Sequence, residues 1–192
     1  MTAAVIVVLL IAAAAGVVAA RAGTDGKAGL IRATVPLLLL AAAAILALAA
    51  PATTGFGLAA VRVAAVIAAM AGGSVLVTAT FALAGANGRA DESVPVSAAA
   101  PETDESPAAE NGETVEEPLR GGLAIGILER AAIAVCILAN FAAGLAVIVA
   151  AKGLARYPEL RNPGAAEQFI IGTFVSVLWA AGCAGVAVAI SR

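Results

Sequence analysis

Histidine is absent from this 192-residue chain, and so is any run of basic residues. Without imidazole the chain lacks the commonest metal ligand and the usual general base near neutral pH. Without a basic patch it has no electrostatic footprint for nucleic acid. Only two cysteines occur, and both Cys136 and Cys183 lie inside apolar tracts, so they form neither a secreted disulfide framework nor a zinc set. A Gly-x-Ser-x-Gly elbow and a Gly-rich phosphate loop ending in Gly-Lys are also missing. These absences leave no catalytic group, cofactor site or metal site to assign. Charge itself is scarce at 12% of residues, where soluble domains carry about a quarter.

What fills the chain is Ala, Val, Leu and Ile. Hydrophobic residues make up 62% of the sequence, and the mean hydropathy is +1.02. A soluble domain of this length has too little interior to bury so much apolar surface, so the bilayer must be its solvent. Five apolar tracts are long enough to cross: Ala3 to Ala20, Val35 to Ala50, Leu58 to Ala84, Leu123 to Ala151 and Glu167 to Ile190. The expected fold is therefore an all-α polytopic membrane protein with about five transmembrane helices. "VVAA" before Arg21 resembles a signal cleavage site, but "MTAAV" offers no basic n-region, so the first tract reads as a retained helix.

The net charge of −2 conceals an uneven distribution, because nine of the thirteen acids fall between Asp91 and Glu117. That stretch is rich in Ala, Pro, Ser and Glu; it buries nothing and repels itself, which predicts a disordered acidic linker over residues 86–122. It separates an N-terminal three-helix part, residues 1–85, from a C-terminal helical hairpin, residues 123–192. Counting Lys and Arg at the helix ends orients five spans. Arg21, Lys27, Arg32, Arg89, Arg120, Arg130 and Arg192 oppose Arg62, Lys152, Arg156 and Arg161. The expectation is an external N-terminus with the linker and C-terminus cytoplasmic.

Two helical faces carry the polar residues of the hairpin. Glu129, Ile133, Cys136, Asn140 and Gly144 step by four and three, as do Gln168, Gly172, Ser176, Trp179 and Cys183, so each set shares one face. Small residues let helices approach, and polar groups in hydrocarbon bond to one another across the contact. With the fourth and fifth tracts as antiparallel neighbours, equal rise from the turn brings Asn140 level with Trp179 and Ser176, and Cys136 level with Cys183. It also sets Lys152 near Glu167, and Glu129 near Arg192. Glu129, Arg130, Lys152, Arg156 and Glu167 read as charges at the membrane boundary. "MAGGS", Met70–Ser74, is the one place where the third helix invites a break.

"IGILER" (Ile125–Arg130), "AAKGLARYPEL" (Ala150–Leu160) and "AEQFIIGTFVS" (Ala166–Ser176) together resemble the C-terminal module of an uncharacterised group of bacterial integral membrane proteins. The resemblance covers about residues 121–190. It implies a bacterial plasma membrane location, and it implies that Glu129, Arg130, Lys152, Arg156, Glu167, Gly172 and Thr173 matter as a set. It brings no activity with it. Two functions fit these features. One is a non-enzymatic scaffold, assembly or accessory subunit, whose acidic linker docks another membrane protein or a cytoplasmic partner. The other is a small transporter or channel component, made oligomeric because five spans are few for a carrier.

Overall fold

The computed structural model describes residues 1–22, 26–84 and 122–192, apart from the side chains of residues 26–28 and 159. The acidic linker expected over 86–122 lies outside the described residues except for Gly122. Among the described residues six α-helices follow in order: α1 Thr2–Arg21, α2 Gly26–Ala49, α3 Gly55–Leu83, α4 Gly122–Leu138, α5 Ala142–Ala155 and α6 Pro163–Ala189, with a 3-10 turn at Glu159–Arg161. No strand occurs among the described residues. The fold is all-α and polytopic, with four helices long and apolar enough to cross a membrane: α1, α2 from Gly29, α3 and α6.

Helix α3 is the axis of the bundle. α1 runs parallel to it, since the Thr2 methyl lies by Gly57 and Gly16 rests on Gly72. α6 runs antiparallel, with Gly172 beside Phe81, Trp179 on Gly72 and the Ile190 carbonyl accepting from the Thr53 amide at 2.9 Å. α2 closes the group against α1 and α6, where Gly182 lies under Leu40. Buried Pro36 sits inside α2, where neighbouring helices shield the interrupted backbone ladder.

The core explains the Ala-rich composition. Ala64, Ala65, Ala68 and Ala69 of α3 and Ala180, Ala184 and Ala187 of α6 are buried, with Val5, Leu9, Val61 and Val75 the larger side chains among them. Lipid tails are as apolar as Leu, so helices in a bilayer associate through close van der Waals contact rather than hydrophobic drive. Small side chains permit that contact. Leu38, Ile45, Leu48 and Leu178 point outward, toward what would be lipid.

Three expectations are corrected here. The tract Leu123 to Ala151 is not one span. It breaks at Ala139–Phe141 and folds back as the antiparallel pair α4 and α5, of 17 and 14 residues, each short of the roughly 20 needed to cross. Because α5 returns to the end where α4 began, α6 runs from that end back to the one that holds Thr2, where five spans would have set the termini at opposite ends. Thr2 and Thr53 share a hydroxyl hydrogen bond of 2.9 Å, and Ile190 reaches the same Thr53 backbone, so the N- and C-termini lie at one end. The "MAGGS" stretch leaves α3 unbroken; Gly72 and Gly73 are there because other helices press on them.

Candidate functional site, a cleft beneath a half-membrane hairpin

The turn that ends α4 is built from its own sequence. Asn140 adopts φ +53°, the Phe141 amide donates to the Cys136 carbonyl at 2.8 Å, and the Asn140 amide donates to the Ile137 carbonyl at 3.0 Å. These two reversed bonds form a Schellman cap, with Asn in the left-handed position it tolerates better than most residues. Asn140 is exposed at this tip. It makes no bond to Trp179 or Ser176, so its predicted role as a cross-helix hydrogen bonder is corrected to that of a turn former. Cys136 faces α5, because a Cβ at Gly144 would lie 2.5 Å from its Sγ. Cys183 is buried in the bundle core, and both thiols are free.

Arg130 is the largest departure from the sequence reading. It is no boundary charge: it is 4% exposed, and with Ile133 and Ala134 it forms the buried face of α4. That face shares Ile133 with the predicted Glu129–Ile133–Cys136 stripe but turns Arg130 and Ala134 inward in place of Glu129 and Cys136. Its side chain crosses to α3 and lies on Gly73, where a Cβ would come within 2.5 Å of Arg130 Cδ and 2.8 Å of Nε. The guanidinium donates to the Met70 carbonyl at 2.9 Å and to Ser74 Oγ at 3.4 Å. Glu129, the adjacent residue, pairs instead with Lys152 across the hairpin. Lys152 therefore does not serve Glu167, and Glu129 is far from Arg192, which follows Ile190 at the opposite end.

Depth follows from these contacts. Gly73 is 18 residues from the start of α3 at Gly55, or about 27 Å at helical rise. From Arg130, eight residues carry α4 on to Leu138, about 12 Å further. The hairpin tip thus stops roughly 15 Å short of the end that holds both termini.

Between the hairpin, α3 and α6 lies a cleft of about 380 Å³, a volume typical of small-ligand sites. Glu129, Arg130, Lys152, Arg156, Gln168 and Ser176 supply its polar wall, and Val77, Phe81, Leu123, Ile125 and Phe169 its apolar wall. Gly172 and Thr173 also line it. Thr173 Oγ1 and Arg130 Nε are buried without a hydrogen-bond partner. Below the cleft, Trp179 packs on Gly72 and its indole N–H donates to the Ala68 carbonyl at 3.1 Å. That contact uses a backbone carbonyl otherwise committed to the α3 ladder, and it joins α6 to α3 one turn beyond Ser176, the last residue of α6 to line the cleft.

Several predicted residues therefore meet, in a different arrangement. Glu129, Arg130, Lys152, Arg156, Gln168, Gly172 and Ser176 gather around the cleft; Asn140 is apart from them at the hairpin tip. The α6 stripe faces α3 and the cleft, with Ser176, Trp179 and Cys183 all buried. Ser74 and Phe81 were missed, since no pattern in the sequence ties α3 to α4. No group of three or more His, Cys, Asp and Glu suited to a metal occurs among the described residues. Compared with protein-family models, curated proteins and solved structures, the chain matches none.

Proposed function

We propose that this is a non-enzymatic accessory or scaffold subunit of the bacterial plasma membrane, whose working part is the cleft under the α4–α5 hairpin. The observation that carries this reading is the close packing at Trp179, one turn of α6 beyond the cleft. A hydrogen-bonded indole wedged on Gly72, above a core of close-packed Ala and Val, favours a site that holds something over a path that conducts it. The acidic stretch from Asp91 to Glu117 then serves as a tether for a partner protein.

The charge distribution supports an orientation. Arg21, Arg32, Lys152, Arg156 and Arg161 belong to the end where the cleft opens, whereas Arg62 and Arg192 belong to the other half. Basic residues favour the cytoplasmic side, which supports a cytoplasmic cleft and linker with both termini outside. The loop "AKGLARYPELR", on the wrong side in a five-span arrangement, joins the basic majority once α4 and α5 form a hairpin.

A transport role is the second reading, favoured by one feature: a helix broken at depth beside charged residues is a recurrent element of carriers. Purification of tagged full-length protein from its native membrane in mild detergent separates the two. A stoichiometric partner released by deleting residues 90–121 is the expected result. A partner-free homo-oligomer that passes ions in liposomes, and loses the flux with Glu129→Gln, would overturn the accessory reading.

A further inference from the structure

We infer that the cleft binds the phosphate head of an anionic membrane lipid, with Arg130 and Thr173 as its recognising groups; this rests on the cleft being the working part of the protein. Charge is the first ground. Glu129 is ion-paired to Lys152 across the hairpin and reaches Arg130 only through its field, so the Arg130 guanidinium, held by a carbonyl and a hydroxyl, makes no ion pair of its own. A buried cation in a bilayer is costly unless an anion or a dense set of dipoles meets it. Unpartnered donors are the second ground. Arg130 Nε and Thr173 Oγ1 are both buried and unbonded, one from α4 and one from α6, on walls of the same cleft. Buried polar atoms are almost always satisfied, and both of these belong to residues that line the cleft, so an acceptor bound there is the partner that a small side-chain adjustment would give them. Phosphate suits them, since its oxygens accept from a guanidinium and a hydroxyl together.

The walls select a lipid over a soluble anion. Leu123 is 72% exposed and Ile125 46%, yet both line the cleft with Phe81 and Phe169. The cavity therefore runs out onto an apolar outer surface, where an acyl chain continues into the bilayer. Basic grooves between transmembrane helices on the cytoplasmic side are physically suited to such head groups.

The test is thermal unfolding and native mass spectrometry of the full-length protein in neutral detergent. Phosphatidylglycerol, phosphatidylcholine or inorganic phosphate is added, for wild type and for Thr173→Val. This isosteric change removes only the orphan hydroxyl, so it should leave the lipid-free protein at least as stable as wild type. The expected result is stabilisation and retention with phosphatidylglycerol, little effect of phosphatidylcholine, and about tenfold weaker phosphatidylglycerol binding in Thr173→Val, the loss of one hydrogen bond to a charged group. Arg130→Lys, which keeps the charge but not the fork, should weaken it further. Equal effects of the two lipids, unchanged binding by Thr173→Val, or full stabilisation by inorganic phosphate alone would each overturn the inference. None of these outcomes touches the accessory reading, which is decided by partner capture.

Discussion

Gly16→Ala isolates what holds α1 in the bundle. A Cβ at Gly16 would meet Gly72 Cα at 2.5 Å, Gly72 N at 3.3 Å and the Ala71 carbonyl oxygen at 3.4 Å. All three are backbone atoms of α3, so no side chain can rotate away. Ordinary carbon contact lies near 3.5–4.0 Å, and the helices must part by roughly 1 Å to restore it. A gap of that size forfeits about a quarter to a half of each dispersion well along the seam, where Val5, Leu9, Ala12 and Ala19 are buried. Overpacking of this kind costs about 1–3 kcal/mol, and the better helix propensity of Ala offsets at most about 1 kcal/mol of it. Gly185→Ala supplies the control. It makes the same change in a helix, but nothing lies within 4 Å of the new Cβ, so it should be neutral or stabilising by up to about 1 kcal/mol. Unfolding of both variants by sodium dodecyl sulfate in mixed micelles, followed by helical circular dichroism, should separate them by about 2 kcal/mol. Equal stabilities would refute the claim that backbone contact with Gly72 sets the α1–α3 distance.

The remaining predictions address the hairpin and the Trp179 contact. Asn140→Gly should be tolerated, whereas Asn140→Val should cost about 1–2 kcal/mol in the same unfolding assay, because a β-branched residue resists the left-handed turn; equal costs would restore a side-chain role for Asn140. A double-mutant cycle on Glu129→Gln and Lys152→Met should show a coupling of about 1 kcal/mol for this partly exposed pair, while Glu129 with Arg192 should show none. Trp179→Phe should cost about 1 kcal/mol through the lost bond to Ala68; a large increase in ion leak through reconstituted protein would revive the transport reading. Mild oxidation in membranes should fail to link Cys136 to Cys183, since Cys136 faces α5. A reporter at the C-terminus should read external, and a cytoplasmic signal there would restore five spans.

The helical class and the four long spans were legible because twenty apolar residues in a row admit few alternatives. The face of α6 was legible for a related reason: Ser176, Trp179 and Cys183 stand out among Ala and Val, and they do face inward. The break at Asn140 was hidden by reading a polar residue in hydrocarbon as a bonding group, when Asn is also the residue after Gly that most readily ends a helix. Its signal was present, since Leu123 to Ala151 is longer than one span requires. The start of α6 carried a plainer sign. Asn162 caps the Gly164 amide at 2.9 Å ahead of Pro163 at the first helical position, a pairing favoured at helix beginnings. Arg130 was out of reach. Its neighbour Glu129 shares the same stretch of α4, and only the α3 surface at Gly73, some sixty positions away, decides which of the two is drawn inward.

The return of α5 to the end where α4 began has a consequence for how the chain enters its membrane. α4 begins and α5 ends at the end of the bundle where α3 stops and α6 starts, so the number of long helices that cross is the same whether the hairpin is seated or not. The translocation machinery can commit α1, α2, α3 and α6 first. The hairpin can then settle against Gly73 afterwards, or lift away again, without any polar loop being carried across the bilayer.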